Sequence, residues 1–81
     1  MEIGIKDKIE RMRVLADLWF NENKKVFIKD IEDNWYFCKI IIVGEDTVLI
    51  ECYSPEDRKG LRFQLYWANI VKFDLVREEK Q

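Results

Sequence analysis

The spacing of apolar residues changes once along the chain, near Asn23, and this change limits the fold more than any other feature. Before Asn23, apolar residues recur at helical spacing and lie within about 80° of one line along a helix drawn from Ile5. They are Ile9, Met12, Leu15, Ala16, Trp19 and Phe20. After Asn23, the apolar pattern has the period of two that is typical of strands. The change predicts one amphipathic helix over about 5–22 and a β-sheet after it.

Five strands are predicted, at 24–31, 35–43, 47–53, 61–66 and 70–76. Polar turns separate the first three, and Trp67-Ala68-Asn69 forms one turn of 3-10 helix before the last. A chain of 81 residues is long enough for one small domain. We therefore expect a mainly β fold with one N-terminal α-helix, in which residues 24–76 form a five-stranded, strongly bent antiparallel small barrel. Residues 77–81 are expected to be a frayed tail.

The hairpin of the second and third strands has a register that its residue types support. If Gly44 to Asp46 is the loop, residues that face each other across the hairpin form one salt pair, one aromatic pair and one aliphatic pair, and the two cysteines also meet. The pairs are Phe37 with Tyr53, Cys38 with Cys52, Lys39 with Glu51, and Ile40 with Ile50. We expect the two thiols to be reduced and to fill the core.

Several function classes are excluded by composition. The chain has no histidine, which removes the usual general base and most zinc sites. Its acidic doublets lie in separate predicted turns, so their oxygens cannot converge on a metal ion or act as a catalytic pair. We therefore expect no enzyme activity, no cofactor and no metal. The longest apolar run, Ile40 to Val43, is too short to cross a membrane. Without paired-cysteine motifs, the default expectation is a cytoplasmic protein.

The order of one helix and five strands, with a very short connection before the last strand, resembles the Sm-like family, which includes the bacterial Hfq proteins. The resemblance covers about residues 5–76. Asp46 stands where that family carries an Asp between strands two and three, whereas Leu49-Ile50 and Trp67-Ala68-Asn69 replace its other two loop motifs. The resemblance implies a helix-capped barrel whose copies pair their edge strands in a ring. It also implies single-stranded RNA as the ligand, at the connection between strands four and five.

A candidate RNA site follows from that placement. Tyr66 and Trp67 could stack on bases, and Asn69 could contact a base edge. Arg58, Lys59 and Arg62 form the one basic cluster after the helix and could contact phosphates. Two alternatives stay open: Trp67 could plug the end of the barrel, and Arg58 and Lys59 could simply balance the neighbouring acids. Because the net charge is only −2, RNA binding would need one local face.

A second similarity competes with the first. Asn34-Trp35-Tyr36, followed by Lys39, looks like the opening of a Tudor-type barrel. Those domains hold methylated Lys or Arg in aromatic cages, and Trp35, Tyr36 and Tyr53 could supply the walls. This similarity implies a protein partner.

Val14 and Leu18 fall on the far side of the predicted helix from its main apolar face. Either the helix is wedged across a barrel end, or these two residues contact another subunit. The leading hypothesis is a non-enzymatic, self-associating Sm-like barrel that binds single-stranded RNA by aromatic stacking. The alternative is a protein–protein interaction module without nucleic-acid binding.

Overall fold

The computed structural model describes residues 5–76, so the predicted tail at 77–81 lies outside the described residues. Its elements are α1 (Ile5–Asn21), β1 (Lys25–Asp30), β2 (Trp35–Val43), β3 (Thr47–Ser54), β4 (Arg62–Tyr66) and β5 (Ile70–Leu75). Two short 3-10 helices, Glu56–Arg58 and Trp67–Asn69, precede β4 and β5. The predicted helix, the five strands and the 3-10 turn before the last strand are confirmed.

The five strands form one antiparallel sheet in the order β4-β3-β2-β1-β5, which is an Sm-like topology. The sheet is neither closed nor strongly curled, and this corrects the prediction of a strongly bent barrel. A barrel would bury its inner side chains against one another. Here α1 covers them instead, with Met12, Ala16 and Trp19 in one buried cluster with the inner side chains of the sheet. Within residues 5–76, β4 and β5 therefore remain the two edges.

The end of α1 is a hydrogen-bonded turn at Asn23. Asn23 adopts a left-handed backbone conformation, with φ of 55°, just after the helix. The backbone N–H of Lys24 donates to the Trp19 carbonyl oxygen at 2.9 Å. The N–H of Asn23 donates to the Phe20 carbonyl oxygen at 3.1 Å. These two bonds are those of a Schellman motif, in which Asn is one of the few residues that accept a positive φ. Phe20, predicted in the buried stripe, is instead about half exposed.

The β2–β3 register is confirmed at its centre and wrong at its ends. Cys38 faces Cys52, Lys39 faces Glu51 and Ile40 faces Ile50. Irregularities next to Cys38 and between Ile40 and Ile42 shift the remaining pairs, so that Phe37 faces Ser54 rather than Tyr53. Both thiols are free and buried, as predicted. Burial raises the pKa of each thiol above its ordinary value, which keeps both protonated and unreactive.

Asp30 closes the β1–β2 hairpin by accepting four hydrogen bonds. Its carboxylate oxygens accept from the backbone N–H groups of Glu32 and Asn34, each at 2.9 Å. The Asn34 side-chain amide donates at 3.2 Å and the Tyr36 hydroxyl at 3.4 Å. Burial acts to raise the pKa of this carboxyl, but the hydrogen bonds outweigh it and hold the pKa below its ordinary value.

The lowered pKa of Asp30 predicts an acid-dependent stability. The folded state favours the carboxylate, so its contribution is present above the unfolded-state pKa of about 4 and is lost as pH falls through the lower folded-state value. Asp30→Asn should cost about 1 kcal/mol at pH 7 because it loses charged hydrogen bonds. In urea titrations the gap between wild type and Asp30→Asn should narrow towards pH 3. A gap of constant size would contradict this role.

Candidate functional site

The face of the sheet opposite α1, which we call the outer face, carries aromatic and basic side chains. In β1 and β2 the positions alternate, so Val26, Ile28, Tyr36 and Cys38 are buried towards the helix and the positions between them point outward. The outward set is Lys25, Phe27, Lys29, Trp35, Phe37 and Lys39. No element within residues 5–76 covers the outer face. An uncovered sheet face is usually polar, so the aromatic rings on the outer face are unusual.

Phe27 is the centre of the aromatic part of this face. Its ring centroid lies 5.2 Å from that of Phe37, its direct partner across the β1–β2 ladder. It lies 5.6 Å from the Trp35 ring in an edge-to-face arrangement, with the planes at 89°. Trp35 is 52% exposed, so one large ring of the group is open to solvent. We call Phe27, Trp35, Phe37 and Tyr53 the outer aromatic patch.

Two pairs of lysines flank the outer aromatic patch. Lys25 faces Lys39 across β1 and β2, and Lys29 faces Lys72 across β1 and β5. Like charges directly opposite each other destabilise a sheet. The β1 members of the two pairs, Lys25 and Lys29, are four residues apart along the strand, which is about 13 Å. Each facing pair is unfavourable by itself, although Lys29 also pairs with Asp33 and Lys39 also faces Glu51 across the β2–β3 ladder. Both pairs place positive charge at an end of the patch.

Two of these lysines contact rings of the patch. The Lys25 ammonium lies 4.9 Å from the centroid of the Tyr53 ring, and that of Lys29 lies 6.0 Å from the centroid of Trp35. Lys29 also forms an ion pair with Asp33 at 2.9 Å. These contacts place cationic groups over the two rings, and Trp35 still remains half exposed.

The connection between β4 and β5, where the sequence predicts the RNA site, does not form an exposed aromatic surface around Trp67. Trp67 has no exposed surface: its Nε1–H donates to the Gly44 carbonyl oxygen at 3.0 Å, and its ring meets Phe73 edge-on at 5.8 Å. A ring with no exposed surface cannot stack on a base, and the alternative in which Trp67 fills the end of the sheet fits this placement. Tyr66 is 60% exposed, and Asn69 is exposed.

The basic residues of the predicted RNA site are divided between structural contacts and solvent. Arg58 donates from Nη1 to the Trp35 carbonyl oxygen at 2.8 Å and so ties the 3-10 helix to the start of β2. Arg62 forms an ion pair with Glu51 at 2.9 Å. Lys59 is exposed. Two of the three charges are thus engaged within the chain.

The three residues proposed as an aromatic cage do not lie together. Trp35 and Tyr53 belong to the outer face, whereas Tyr36 is 7% exposed on the inner face. Its ring lies 5.2 Å from that of Phe63. Neighbouring positions of a strand point to opposite faces, which separates Trp35 from Tyr36. Phe27 and Phe37 were not among the predicted site residues, so half of the patch was missed from the sequence. The signal was present, because Lys25 and Lys29 flank Phe27 at the same period of two.

Comparison with family models, with curated proteins and with solved structures finds no match for this chain. Within residues 5–76, no helix is both long and apolar enough to cross a membrane. The same part of the chain contains no group of three or more acidic, Cys or His side chains placed to hold a metal ion.

Proposed function

We propose that this protein is a non-enzymatic, self-associating binder of single-stranded RNA, and that bases stack on the outer aromatic patch. The observation that carries the proposal is the position of the patch between two like-charge lysine pairs. An arrangement that costs stability in the free protein is explained if a polyanion neutralises it. Stacking on an aromatic side chain contributes about 1–3 kcal/mol per base and tolerates any base.

The overall charge of −2 does not conflict with this proposal, because the positive groups are local. On the outer face, Glu51 is paired with Arg62, and Asp33 with Lys29. Asp74, opposite Phe27, is the acid that stands nearest to the centre of the patch in the ladder. A strand that crosses the patch would meet the Lys25/Lys39 pair at one end and the Lys29/Lys72 pair at the other.

Trp35→Ala tests the proposal, with Tyr66→Ala as a matched control on a similarly exposed ring. We expect wild type to bind labelled oligouridylate of about ten nucleotides at low salt. Trp35→Ala should weaken binding by about 5- to 100-fold, which corresponds to one lost stacking contact. Tyr66→Ala should change affinity by less than about twofold. Fluorescence anisotropy measures both. The opposite pattern would favour the β4–β5 connection, and no binding by wild type would favour a protein partner.

The open edges support the self-association part of the proposal. Within the described residues, β4 and β5 each have one side without a neighbouring strand, and Val71 and Leu75 on β5 are exposed apolar residues. Exposed edges of this kind pair readily with another strand. Pairing of β4 with β5 of a second copy would cover both edges.

Val71→Lys should reduce the oligomer to monomer, because it replaces an exposed apolar residue of the β5 edge with a further lysine beside Lys72. Ile42→Lys is the matched control, since Ile42 is also an exposed β-branched apolar residue but lies on the central strand β2. Light scattering coupled to gel filtration measures both masses. A wild-type monomer at high concentration, or equal dissociation of the two variants, would contradict edge pairing.

A protein partner remains a second candidate because α1 has its own exposed apolar pair. Val14 is 63% exposed and Leu18 is 47% exposed, one helical turn apart and away from the sheet. If Val14→Asp leaves both RNA binding and the oligomer mass unchanged, this pair is free to bind another protein.

A further inference from the structure

A second feature opens beside the outer face, at the end where β1 begins. It is a cleft of about 750 Å³ between the turn that follows α1 and the end of β5. Lys24, Lys25 and Lys39 line it, together with the acidic residues Glu22 and Asp74. Lys25 and Lys39 also belong to the outer face, so the cleft continues directly from the patch.

The charges in the cleft are unbalanced. Three lysines and two acidic residues line it, and none of these five side chains takes part in an ion pair within residues 5–76. Lys25 and Lys39 are direct neighbours across the ladder, and Lys24 precedes Lys25 in the chain. The lysines outnumber the acidic residues of the cleft by one, so an anionic group beside the lysines would be attracted.

The position of Lys24 is determined by the fold. Its backbone N–H is held by the Trp19 carbonyl oxygen in the Schellman motif, and Asn23 makes the left-handed turn that precedes it. Lys25 is the first residue of β1, and its carbonyl oxygen accepts from the N–H of Val76 at 3.0 Å. The backbone on both sides of the cleft is therefore hydrogen-bonded.

We propose that the cleft binds a terminal phosphomonoester of the strand whose bases lie on the outer aromatic patch; this rests on the proposed function. A phosphomonoester has a charge of about −1.5 to −2 at pH 7, against −1 for each internal phosphodiester. It therefore gains more from three lysines than an internal phosphate does. The carboxylates of Glu22 and Asp74 can accept hydrogen bonds from ribose hydroxyl groups. The cleft lies at only one end of the patch, so the phosphorylated end of a bound strand would always lie at that end. All bound strands would therefore run in the same 5′-to-3′ direction across the patch.

The test compares short unlabelled oligouridylates that carry a phosphate at the 5′ end, at the 3′ end or at neither end, with tryptophan fluorescence as the readout. A phosphate at one end should tighten binding by about tenfold, and a phosphate at the other end should not. Lys24→Gln should abolish this preference and leave the affinity of the hydroxyl-ended strand within about twofold, because Lys24 lines the cleft but is not in the outward set. Lys59→Gln, an exposed lysine elsewhere, should keep the preference.

Equal affinity for all three strands, or a preference that survives Lys24→Gln, would overturn the proposal. Inorganic phosphate and uridine monophosphate serve as competitors. If either removes the preference at the concentration of the strand, the cleft is a site for free phosphate compounds and the strand-end assignment fails. Absence of binding by any strand would instead reject the proposed function itself, so the two failures are distinguishable.

Discussion

Trp67→Ala should lower the free energy of unfolding by about 3–5 kcal/mol, the largest stability effect we expect from a single substitution in this chain. Trp67 is fully buried, and Phe73 lies between its ring and that of Trp19, with centroid distances of 5.8 and 5.1 Å. The Trp67 side chain thus packs the short 3-10 helix between β4 and β5 against β5. Through Phe73 it also packs against α1. Removing it leaves a cavity and an unsatisfied carbonyl oxygen at Gly44.

The expected loss is large compared with the whole stability of the fold. Proteins gain about 0.05–0.15 kcal/mol per residue on folding, which for 81 residues is about 4–12 kcal/mol. Trp67→Phe separates the two causes, because it keeps a ring in the core and removes the indole N–H. It should cost about 1–3 kcal/mol.

Trp35→Ala is the control for the loss of a tryptophan as such. Trp35 is half exposed and packs edge-on against Phe27, so its replacement should cost about 1 kcal/mol. Urea unfolding followed by far-ultraviolet circular dichroism measures all three variants without relying on tryptophan fluorescence. If Trp67→Ala is unfolded without urea, Trp67→Phe still gives a measurable difference. Equal losses for Trp67→Ala and Trp35→Ala would contradict the assigned roles.

The elements of this fold could be predicted because each depends on local pattern. The change of period near Asn23 separates the helix from the sheet, and the charge and size of facing residues set the middle of the β2–β3 register. The ends of that register could not be predicted, because bulges add residues to one strand without a sequence signal of their own. Whether the sheet closes depends on how α1 covers it, and no local pattern contains that information.

The direction of each aromatic side chain was the harder problem. Phenylalanine is usually buried, so Phe27 and Phe37 were not predicted as site residues, yet both lie half-buried on the outer face. Trp67 lies between two exposed residues, Tyr66 and Ala68, and turns inward because the 3-10 helix rotates its side chain away from theirs. In a short connection, residue type alone does not decide whether a ring faces a ligand or the core.

The two like-charge lysine pairs give a prediction in which stability and binding change in opposite directions. In the double variant Lys25→Glu/Lys72→Glu, each like-charge pair of the outer face becomes a pair of opposite charges. Facing opposite charges contribute about 0.2–1 kcal/mol each, and loss of the Lys25 contact with the Tyr53 ring offsets part of this gain. The variant should still be more stable than wild type, by up to about 1 kcal/mol. Its affinity for oligouridylate should fall by at least about 100-fold, because two phosphate contacts become repulsive.

The matched control is Lys8→Glu/Lys59→Glu, which changes two exposed lysines away from the outer face. Each Lys→Glu change subtracts two charges, so both double variants have a net charge of −2 − 4 = −6. Long-range repulsion of RNA is then similar in the two proteins, and only the outer-face variant should lose most of its binding. Its dependence of affinity on salt should also weaken, by a slope of about 0.7 for each lysine–phosphate contact removed.

Comparison of the two double variants separates a binding surface from an ordinary solvated face. If the lysine pairs of β1 had no ligand, replacing them would stabilise the sheet and change nothing else. A variant that gains stability and loses RNA binding identifies side chains retained for the ligand at the expense of the fold. Equal RNA affinity of the two variants would show that the lysine pairs do not contact the strand, and stacking on Trp35 alone would then have to explain any binding observed.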